Sequence, residues 1–296
     1  IVISFFSMSS ITELLKKGDL SKFEKGDELG RGLYGTTYLI KLKAKSMNKK
    51  YVAKVSNHTI DSIEDQIAFF KELDLETKPK SPEILQLHGI SMKNFEDENY
   101  PTLIYEYYGN KLFDDEFDEL EKADKYIILL AMAHGIQHLH SLSILHLNLK
   151  PSNIFLDPQN YVRISDYCQS RIDHMHNYIE DNKESYGYIP LELVNGEKGS
   201  EKSDVFSYAM LAYEIITENR SLSNFAQSVQ SFDELREIKN MMPDMTSIGD
   251  ENIRNFIMKC FSPNPNDRPS FSDIITELEK DHFKEYMKVG EIDLEK

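Results

Sequence analysis

The first third of the chain alternates hydrophobic and polar residues, which is the pattern of β-strands with one buried face. The alternation runs through GDELGRGLYGTTYLIKLK, KKYVAKVS, ILQLHGI and PTLIYEYY, with turn-forming glycines in the first of these segments. Between KKYVAKVS and ILQLHGI, residues 61–76 predict a helix, because Ile63, Ile67 and Phe70 recur at helical spacing and two prolines follow. This part of the chain is therefore expected to be mainly stranded, with one helix.

After Gly109 the pattern changes to that of helices. Residues 125–140 are apolar nearly all round, which predicts a buried helix. Ser203 is the predicted N-cap of a second buried helix, and Ser270 begins a last amphipathic one. Short strands are predicted between the first two helices, in SILHL, NIFL and YVRIS. We expect a strand-rich lobe and a larger helical lobe, joined near residues 107–110, with the ligand cleft between them.

Composition limits the class of partner. The net charge of −16 and the pI near 5.0 argue against nucleic acid, whose affinity for proteins comes mainly from Lys and Arg meeting phosphate, and they disfavour an anionic membrane. Cys168 and Cys260 are too few for a disulfide framework, so we expect a reducing, cytoplasmic location. The chain lacks a basic leader and any run near the roughly 20 apolar residues of a membrane span, so neither a signal peptide nor a spanning helix is expected.

Gly30, Gly32 and Gly35 form the motif G-x-G-x-x-G, which by itself has several interpretations. In dinucleotide-binding proteins a helix follows the glycines, so that its N-terminus meets the pyrophosphate. Here TTYLIKLK follows and alternates like a strand, so we expect a hairpin. The glycine-rich loop of protein kinases is a hairpin of this kind, and an ordinary glycine-containing turn is the remaining alternative.

Lys54 in YVAKV and Glu72 in the predicted helix extend this comparison. Alone, a lysine or a glutamate is normally a solvated surface residue. Together with the glycines, the chain from here resembles the protein kinase family, in which such a lysine pairs with the phosphates of ATP and with a glutamate of the next helix. The resemblance implies that Lys54 and Glu72 form this pair and belong to an ATP-binding site.

The segment ILHLNLKPSNIFLD carries the strongest resemblance, to the kinase catalytic loop H-R-D-L-K-P-x-N. The matching positions are His146, Leu149, Lys150, Pro151 and Asn153. Thirteen residues past Asn153, Asp166 opens Asp-Tyr-Cys in the place of the family's D-F-G. Amide and carboxylate oxygens suit Mg²⁺ between phosphates, so the resemblance implies that Asn153 and Asp166 bind the metal and that Lys150 is a catalytic-loop residue.

Three later residues complete the resemblance. Glu192 ends YIPLE, like A-P-E; Asp204 lies in KSDVFSYAMLAYE, like the family's D-V-W-S-F-G helix; and Arg268 lies in CFSPNPNDRPSF, like C-W-x-x-x-P-x-x-R-P. The resemblance implies a structural role for these residues, with Glu192 and Arg268 in a buried ion pair. Lys150 and the segment LQLHGI favour the serine/threonine side of the family, and within it the tyrosine-kinase-like group.

The resemblance covers residues 23–280 and implies both the fold and the domain limits. We expect a bilobal α+β protein-kinase fold, with a β-rich N-lobe, a mainly helical C-lobe and an ATP cleft between them. The expected limits are an N-terminal extension at 1–21, the N-lobe at 22–108, the C-lobe at 109–281 and a C-terminal tail at 282–296.

The departures from the family pattern bear on activity. Asn148 stands where the family has the aspartate that accepts the proton of the substrate hydroxyl, and an amide has negligible basicity. Leu147 replaces the arginine that in many kinases pairs with activation-loop phosphate, and Tyr167 and Cys168 replace the Phe and Gly of D-F-G. Asn148 is therefore a degenerate base position.

Further departures fall where the family binds adenine. Thr37, Val52 and Phe155 stand for the usual Val, Ala and Leu, and the last two are larger, so a tighter slot is expected. Tyr105 is either the residue that closes the pocket behind adenine or an ordinary core tyrosine. The hinge that follows, at residues 106–108, would bind adenine through its backbone, with Glu106 and Tyr108 as the site residues.

Two functional hypotheses follow from this pattern. The first is a pseudokinase that binds ATP and Mg²⁺ and regulates a protein partner, such as an active kinase. The second is a serine/threonine kinase of low activity acting on a protein substrate. Phosphorylation is a further hypothesis for four residues near the aligned activation segment: Tyr178, Ser185, Tyr186 and Tyr188.

Overall fold

The computed structural model describes residues 8–32, 35–44, 49–114, 117–167, 183–239 and 243–289. The chain divides into two compact units. The first comprises Ile1–Lys80 and Leu85–Tyr108, and the second comprises Ser81–Ile84 and Gly109–Lys296. The chain passes from the first unit to the second after Tyr108, within the predicted linker at residues 107–110.

An antiparallel sheet of five strands forms the first unit. The strands are β1 (Phe23–Gly32), β2 (Gly35–Leu42), β3 (Lys50–Ser56), β4 (Leu87–Ser91) and β5 (Thr102–Glu106). Their order in the sheet is β1-β2-β3-β5-β4. Each alternating segment of the sequence therefore contributes the strand or strands predicted for it, and alternation places successive side chains on opposite faces.

The two faces of this sheet have separate hydrophobic clusters. One contains Phe23, Ile40, Tyr51, Ala53 and Ile104. The other joins strand residues to helix α2 (Ile63–Thr77), which begins with a capping box between Ser62 and Asp65. The predicted apolar face of α2 is wrong in part. Phe69 and Leu73 are its buried residues, whereas Ile63 is 71% exposed, because at 100° per residue it lies about 120° around the helix from Phe69.

Helix α1 (Met8–Lys17) packs on the edge strand β4, so part of the predicted N-terminal extension belongs to the first unit. The chain leaves this helix through Gly18, which lies directly against the backbone of β4. A Cβ added to Gly18 would lie 1.9 Å from the carbonyl oxygen of Ile90, and one added to Gly89 would lie 2.6 Å from the Gly18 nitrogen. Two glycines thus permit a backbone contact that any side chain would prevent.

Helices dominate the second unit. They are α3 (Lys122–Ser141), α4 (Leu191–Val194), α5 (Glu201–Thr217), α6 (Ser221–Ser228), α7 (Phe232–Lys239), α8 (Glu251–Cys260), α9 (Phe271–Leu278) and α10 (Asp281–Tyr286). A small sheet accompanies them, in the order β6 (Asn110–Lys111), β7 (Ile154–Leu156) and β8 (Val162–Ile164). Among the described helices, none combines the length and apolar character needed to cross a bilayer.

Two local predictions in this unit are wrong. Helix α5 begins before Ser203: Ser200 is its N-cap, and Ser203 is the third helical residue, whose hydroxyl accepts the Ser200 N–H. The segment SILHL is not a strand, because the backbone N–H groups of His146 and Leu147 bind a side chain of α5 rather than a neighbouring strand. Leu147 also has a φ of 55°, which is incompatible with a strand.

The end of the unit lies beyond the predicted limit at residue 281. Ser270 caps α9 as expected, accepting the Asp273 N–H. Helix α10 then places Phe283 in the core, where its ring centre lies 6.4 Å from that of Tyr126. The first part of the predicted C-terminal tail is therefore a packed helix of the second unit.

Candidate functional site

The glycine motif of the first unit lies in a hairpin, as predicted. Gly32 pairs with Gly35 across β1 and β2, and β2 continues where a dinucleotide-binding fold would need a helix. Gly35 is required by packing, because an added Cβ would lie 2.5 Å from the carbonyl oxygen of Val55. Gly30 has open space at the Cβ position, and a Cβ added to Gly32 would make an ordinary contact, 3.9 Å from the Gly35 carbonyl oxygen, so packing within the described structure does not demand glycine at either.

Lys54 lies on the sheet face that α2 covers. It is directly paired with Thr37 on β2 and with Leu103 on β5, so these three side chains share a face. Leu103 belongs to the hydrophobic cluster that includes Leu73 of α2, and Glu72 immediately precedes Leu73. The fold therefore places Lys54 and Glu72 in the same layer, and their predicted pairing stays a prediction.

Tyr105 is a buried core residue of the first unit. It belongs to the cluster formed with Phe69 and Leu73 of α2, and it pairs with Val52 of β3, which packs partly against the same cluster. The core interpretation of Tyr105 is thus correct, and a role behind adenine is compatible with it. Thr37 and Phe155, the other residues expected near adenine, are partly buried on β2 and β7.

The predicted hinge has one backbone donor already in use. The Tyr107 N–H donates to the Lys50 carbonyl at 3.0 Å, which continues the pairing of β3 with β5. The side chain of Glu106 forms an exposed ion pair with Lys49 at 3.1 Å. Adenine recognition by the backbone of Glu106 and Tyr108 stays a prediction, and the Tyr107 N–H is committed to the sheet.

In the second unit, Asp204 anchors the catalytic-loop segment. Its buried carboxylate accepts the backbone N–H of His146 at 2.8 Å and that of Leu147 at 2.7 Å, and it lies 2.8 Å from Nε2 of His140. One carboxylate of α5 thus organises a loop nearly sixty residues earlier in the chain. This arrangement agrees with the structural role implied for Asp204.

His146 is a neutral buried residue. Burial lowers its pKa to about 4, although Asp204 and Asp166 act in the opposite direction. Its Nδ1 accepts the Asn148 N–H at 3.2 Å, which places the ring proton on Nε2. Among the described residues, Nε2 has no hydrogen-bond partner. His146 therefore shapes the loop and is not poised as a base at neutral pH.

Asn148 presents its amide nitrogen to a backbone carbonyl. Nδ2 donates to the Asp166 oxygen at 3.1 Å, and the residue is buried. An ionised carboxylate has no hydrogen to donate, so an aspartate in this orientation would set oxygen against oxygen. The structure around position 148 is therefore suited to an amide, in addition to the amide being a poor base.

Asn153 and Asp166 supply oxygens of the kind that Mg²⁺ prefers. The Asn153 Nδ2 donates to the Asn148 carbonyl at 2.8 Å, which leaves Oδ1 as the side-chain oxygen for a cation. The Asn153 carbonyl accepts both the N–H and the hydroxyl of Ser165, at 3.0 and 3.2 Å, so the residue before Asp166 is tied to this loop. An amide oxygen and a carboxylate joined in this way fit a magnesium ion that completes its shell with phosphate oxygens and water.

Lys150 forms an ion pair that the sequence did not predict. Its Nζ lies 2.7 Å from Oε2 of Glu184, and its side chain is only 7% exposed. Burial by itself would raise the pKa of Glu184. The pKa is nevertheless lowered, because the carboxylate is stabilised by the hydrogen bond and charge of Lys150, by the Ser152 hydroxyl and by the charge of Lys111. The only sequence signal for Glu184 was its position beside Ser185 in the aligned activation segment.

Leu147 occupies an apolar site in place of the family's arginine. It is buried, and a Cβ added to Gly199 would lie 2.7 Å from its Cδ1. Tyr167 is also buried, with its ring centre 6.3 Å from that of His146 in an edge contact. Cys168 lies outside the described residues. The guanidinium that would bind activation-segment phosphate is therefore replaced by a packed hydrocarbon side chain.

The implied ion pair between Glu192 and Arg268 is present. Nη1 and Nη2 of Arg268 lie 2.6 and 3.0 Å from the two carboxylate oxygens, and both residues are buried. Ser203 also donates to Glu192 at 3.1 Å, and the Lys202 carbonyl accepts from Arg268. The pair is bidentate and connects the start of α4 with α5 and with the segment before α9.

The structure does not favour phosphorylation of the described candidates in the activation segment. Ser185, Tyr186 and Tyr188 are all buried. Tyr188 also donates its hydroxyl to Glu214 at 3.0 Å, inside the core. A kinase would need to unfold this segment to reach these hydroxyls. Tyr178 lies outside the described residues.

A family model described as "Protein kinase domain" matches residues 23–278, which is most of the chain. The chain belongs to the protein kinase family. Its β-rich first unit and helical second unit are the mixed α+β architecture expected for a eukaryotic protein kinase domain, a family that generally uses ATP and Mg²⁺. The match includes every site residue named above.

Curated relatives of this kinase domain are longer serine/threonine kinases and receptor-like kinases. Human "Ribosomal protein S6 kinase alpha-2" is 30% identical over 217 residues, covering 70% of this chain and 28% of the relative. An Arabidopsis thaliana protein named "Probable LRR receptor-like serine/threonine-protein kinase" is 28% identical over 284 residues, covering 88% of this chain and 28% of the relative. A third, from the same plant, is named "Probably inactive leucine-rich repeat receptor-like protein kinase"; it is 26% identical over 298 residues, covering 92% and 29%. The chain thus spans less than a third of the length of these relatives.

Proposed function

We propose that this kinase domain is a pseudokinase that binds ATP with Mg²⁺, transfers the phosphoryl group poorly and acts in signalling by regulating a protein partner. The observation that carries the proposal is the environment of Asn148. Its amide replaces the family's proton acceptor, and the Nδ2 bond to the Asp166 carbonyl selects an amide over a carboxylate at this position. The likeness to a relative named "Probably inactive leucine-rich repeat receptor-like protein kinase" is in keeping with this.

The loss of the base sets the size of the expected defect. General-base assistance contributes about 10²- to 10⁴-fold, which is roughly 3 to 5 kcal/mol of activation free energy. Kinases turn over at about 1–100 s⁻¹, so removal of the base alone leaves on the order of 10⁻⁴ to 1 s⁻¹. The site is therefore expected to be strongly impaired, with residual transfer from positioning and electrostatics.

The retained residues support nucleotide binding. Lys54 lies on the α2 face of the sheet with Glu72 in the same layer, and Asn153 and Asp166 carry oxygens of the kind that binds Mg²⁺. When bound, ATP supplies the phosphoryl group, and Mg²⁺ neutralises its negative charge. The protein's own part is to hold the phosphates, through Lys54, and the metal, through Asn153 and Asp166.

The alternative is a serine/threonine kinase of low activity. It is favoured by Lys150, a buried ammonium on the catalytic loop, and by the serine/threonine kinases among the relatives. Cations at such positions stabilise the charge of the transferred group, and this contribution does not require a base. The two functions differ in whether the native domain turns over a protein substrate at a useful rate.

Nucleotide binding is tested by thermal unfolding with and without millimolar MgATP. A ligand at 100 times its Kd stabilises the native state by about 2.7 kcal/mol, so a clear rise in Tm is expected for the native domain. Lys54→Ala and Asp166→Ala should abolish the rise, whereas Lys41→Ala, which removes an exposed lysine of β2, should preserve it. A Tm that MgATP leaves unchanged in the native domain would refute nucleotide binding.

Phosphoryl transfer is tested with radiolabelled ATP and a mixture of protein substrates. The native domain should label substrates at least 100-fold more slowly than an ordinary kinase, and Asn148→Asp should label them faster. Rapid labelling by the native domain, abolished by Asp166→Ala, would instead establish the active-kinase alternative.

A further inference from the structure

The ammonium of Lys150 is a buried positive charge that the fold neutralises internally. The lysine follows Asn148 by two residues and precedes Asn153 by three, so it belongs to the loop proposed to handle the phosphoryl group. Its Nζ is 2.7 Å from the Glu184 carboxylate. A buried cation is costly without a counter-charge, so this contact is important for the unliganded protein.

The two partners differ in how firmly they are held. The Lys150 side chain is 7% exposed, whereas that of Glu184 is 48% exposed, so the carboxylate can be solvated by water when it leaves the lysine. Glu184 also has the Ser152 hydroxyl and the charge of Lys111 near it. The anion of the pair is therefore the member that can be displaced at low cost, and the cation stays in place.

The backbone that carries Glu184 is held at both ends. Glu184 lies in the 3₁₀ turn Lys183–Gly187, which is fastened at its start by the side-chain ammonium of Lys183, donating to the Val229 carbonyl at 3.3 Å. At the other end, Gly187 packs so closely on Ser223 that an added Cβ would lie 2.6 Å from the serine Cβ. This turn positions the carboxylate over the lysine, so the ion pair is part of the fold.

We propose that the Glu184 carboxylate competes with the phosphoryl group for the Lys150 ammonium. It stays bound to the ammonium until an anionic ligand displaces it. The inference rests on the proposed function, because it requires that a nucleotide phosphate approaches Lys150. A carboxylate and a phosphate at the same ammonium repel each other, and cationic clamps act on phosphoryl groups only when they are available to them. Glu184 thus weakens binding of ATP and slows transfer, independently of Asn148.

The first experiment tests the ion pair without nucleotide. The protein is treated with limiting acetic anhydride, and acetylation of Lys150 is quantified by mass spectrometry. Glu184→Gln should increase the rate at Lys150 about 5-fold or more, because the lysine loses its carboxylate and its cover. Glu197→Gln is the matched control, since Glu197 is an exposed acid of the same region and its removal changes the net charge equally. An equal rate of Lys150 acetylation in the two variants would refute the ion pair between Lys150 and Glu184.

The second experiment tests competition by calorimetric titration with MgATP and with adenosine. Glu184→Gln should bind MgATP about 10-fold more tightly than Glu197→Gln, and adenosine with the same Kd, because adenosine has no phosphate. Glu184→Asp, which keeps the charge on a shorter side chain, should bind MgATP with an intermediate Kd. Unchanged or weaker MgATP binding by Glu184→Gln overturns the proposal; weaker binding would indicate that Glu184 positions Lys150 for the nucleotide.

The two experiments separate this inference from the proposed function. If neither ligand binds to any variant, nucleotide binding itself fails and competition fails with it, whatever the acetylation rates. If MgATP binds equally to the variants, the proposed function stands and the competition is refuted. In the Asn148→Asp background, Glu184→Gln should raise phosphoryl transfer about 10-fold further, and no increase there would also contradict the inference.

Discussion

Restoring the missing carboxylate with Asn148→Asp should raise phosphoryl transfer and lower the stability of the fold. The Asn148 amide donates to the Asp166 carbonyl at 3.1 Å from a buried position. An introduced carboxylate loses this hydrogen bond and faces the carbonyl oxygen instead. Loss of one partner of a buried hydrogen bond costs about 1–3 kcal/mol, and more when the remaining group is charged.

The size of the effect depends on pH. We take about 3 kcal/mol as the loss of folding stability when the introduced carboxylate is ionised. This corresponds to a pKa for that carboxyl group about 2 units above the ordinary value of roughly 3.9 for aspartate. Because the pKa is raised in the folded state, the stability provided by the neutral acid is complete below the unfolded pKa and is lost as the pH rises through the folded pKa. The penalty should therefore be complete at pH 8 and about half as large at pH 5.

Urea unfolding of the native domain, Asn148→Asp and Asn148→Ala measures this. Asn148→Ala removes the same hydrogen bond without adding charge, so it should cost about 1 kcal/mol at both pH values and restore no transfer. Parallel assays with radiolabelled ATP should show at least a 100-fold gain for Asn148→Asp over Asn148→Ala at pH 8. The reasoning is refuted if Asn148→Asp is as stable as the native domain at pH 8, or if it transfers phosphate no faster than Asn148→Ala.

Three further predictions concern the framework of the two units. Arg268→Ala should destabilise the protein by about 3–5 kcal/mol in urea unfolding, because it leaves a buried carboxylate unpaired, whereas Arg236→Ala, at an exposed ion pair, should change stability by less than about 1 kcal/mol. Gly35→Ala should weaken MgATP binding and lower Tm, since the added Cβ meets a carbonyl at 2.5 Å, while Gly30→Ala should leave Tm unchanged because its site is open. The depressed pKa of His146, about 4, should make stability fall by about 3 kcal/mol as the pH falls from 6.5 to 4, and His146→Gln should remove that part of the pH dependence.

Each of these has a clear contrary result. Equal effects of the two arginine substitutions would mean that burial of the bidentate pair adds nothing to stability. Equal Tm values for the two glycine substitutions would mean that the hairpin yields to the added methyl group. A stability profile between pH 6.5 and 4 that is unchanged in His146→Gln would mean that this histidine becomes charged without cost.

Alternation in the sequence was sufficient to predict the strands of the first unit and the two strands β7 and β8. Alternation after the glycines was sufficient for the hairpin, and the resemblance to the kinase family was sufficient for the pair between Glu192 and Arg268. Metal binding by Asn153 and Asp166 stays a prediction. Such patterns are readable because strand alternation and loop motifs depend on neighbours along the chain.

The local errors arose where tertiary contacts outweighed local preference. The buried face of α2 differs from the predicted one because Phe69 and Leu73 pack against the sheet, which leaves Ile63 exposed. The segment SILHL has strand-like composition, yet its backbone N–H groups at His146 and Leu147 donate to the carboxylate of Asp204. Hydrophobic periodicity cannot predict a hydrogen bond between residues nearly sixty positions apart.

The sequence by itself determined that this is a kinase domain with an amide in place of its base. Only the tertiary structure decided how that amide is used, by turning Nδ2 toward the Asp166 carbonyl, and that Glu184 neutralises Lys150. Both contacts join residues 18 to 34 positions apart, in segments with no repeating pattern. Their geometry follows from how loops are anchored to packed helices, and that is settled by burial and hydrogen bonding of the folded chain.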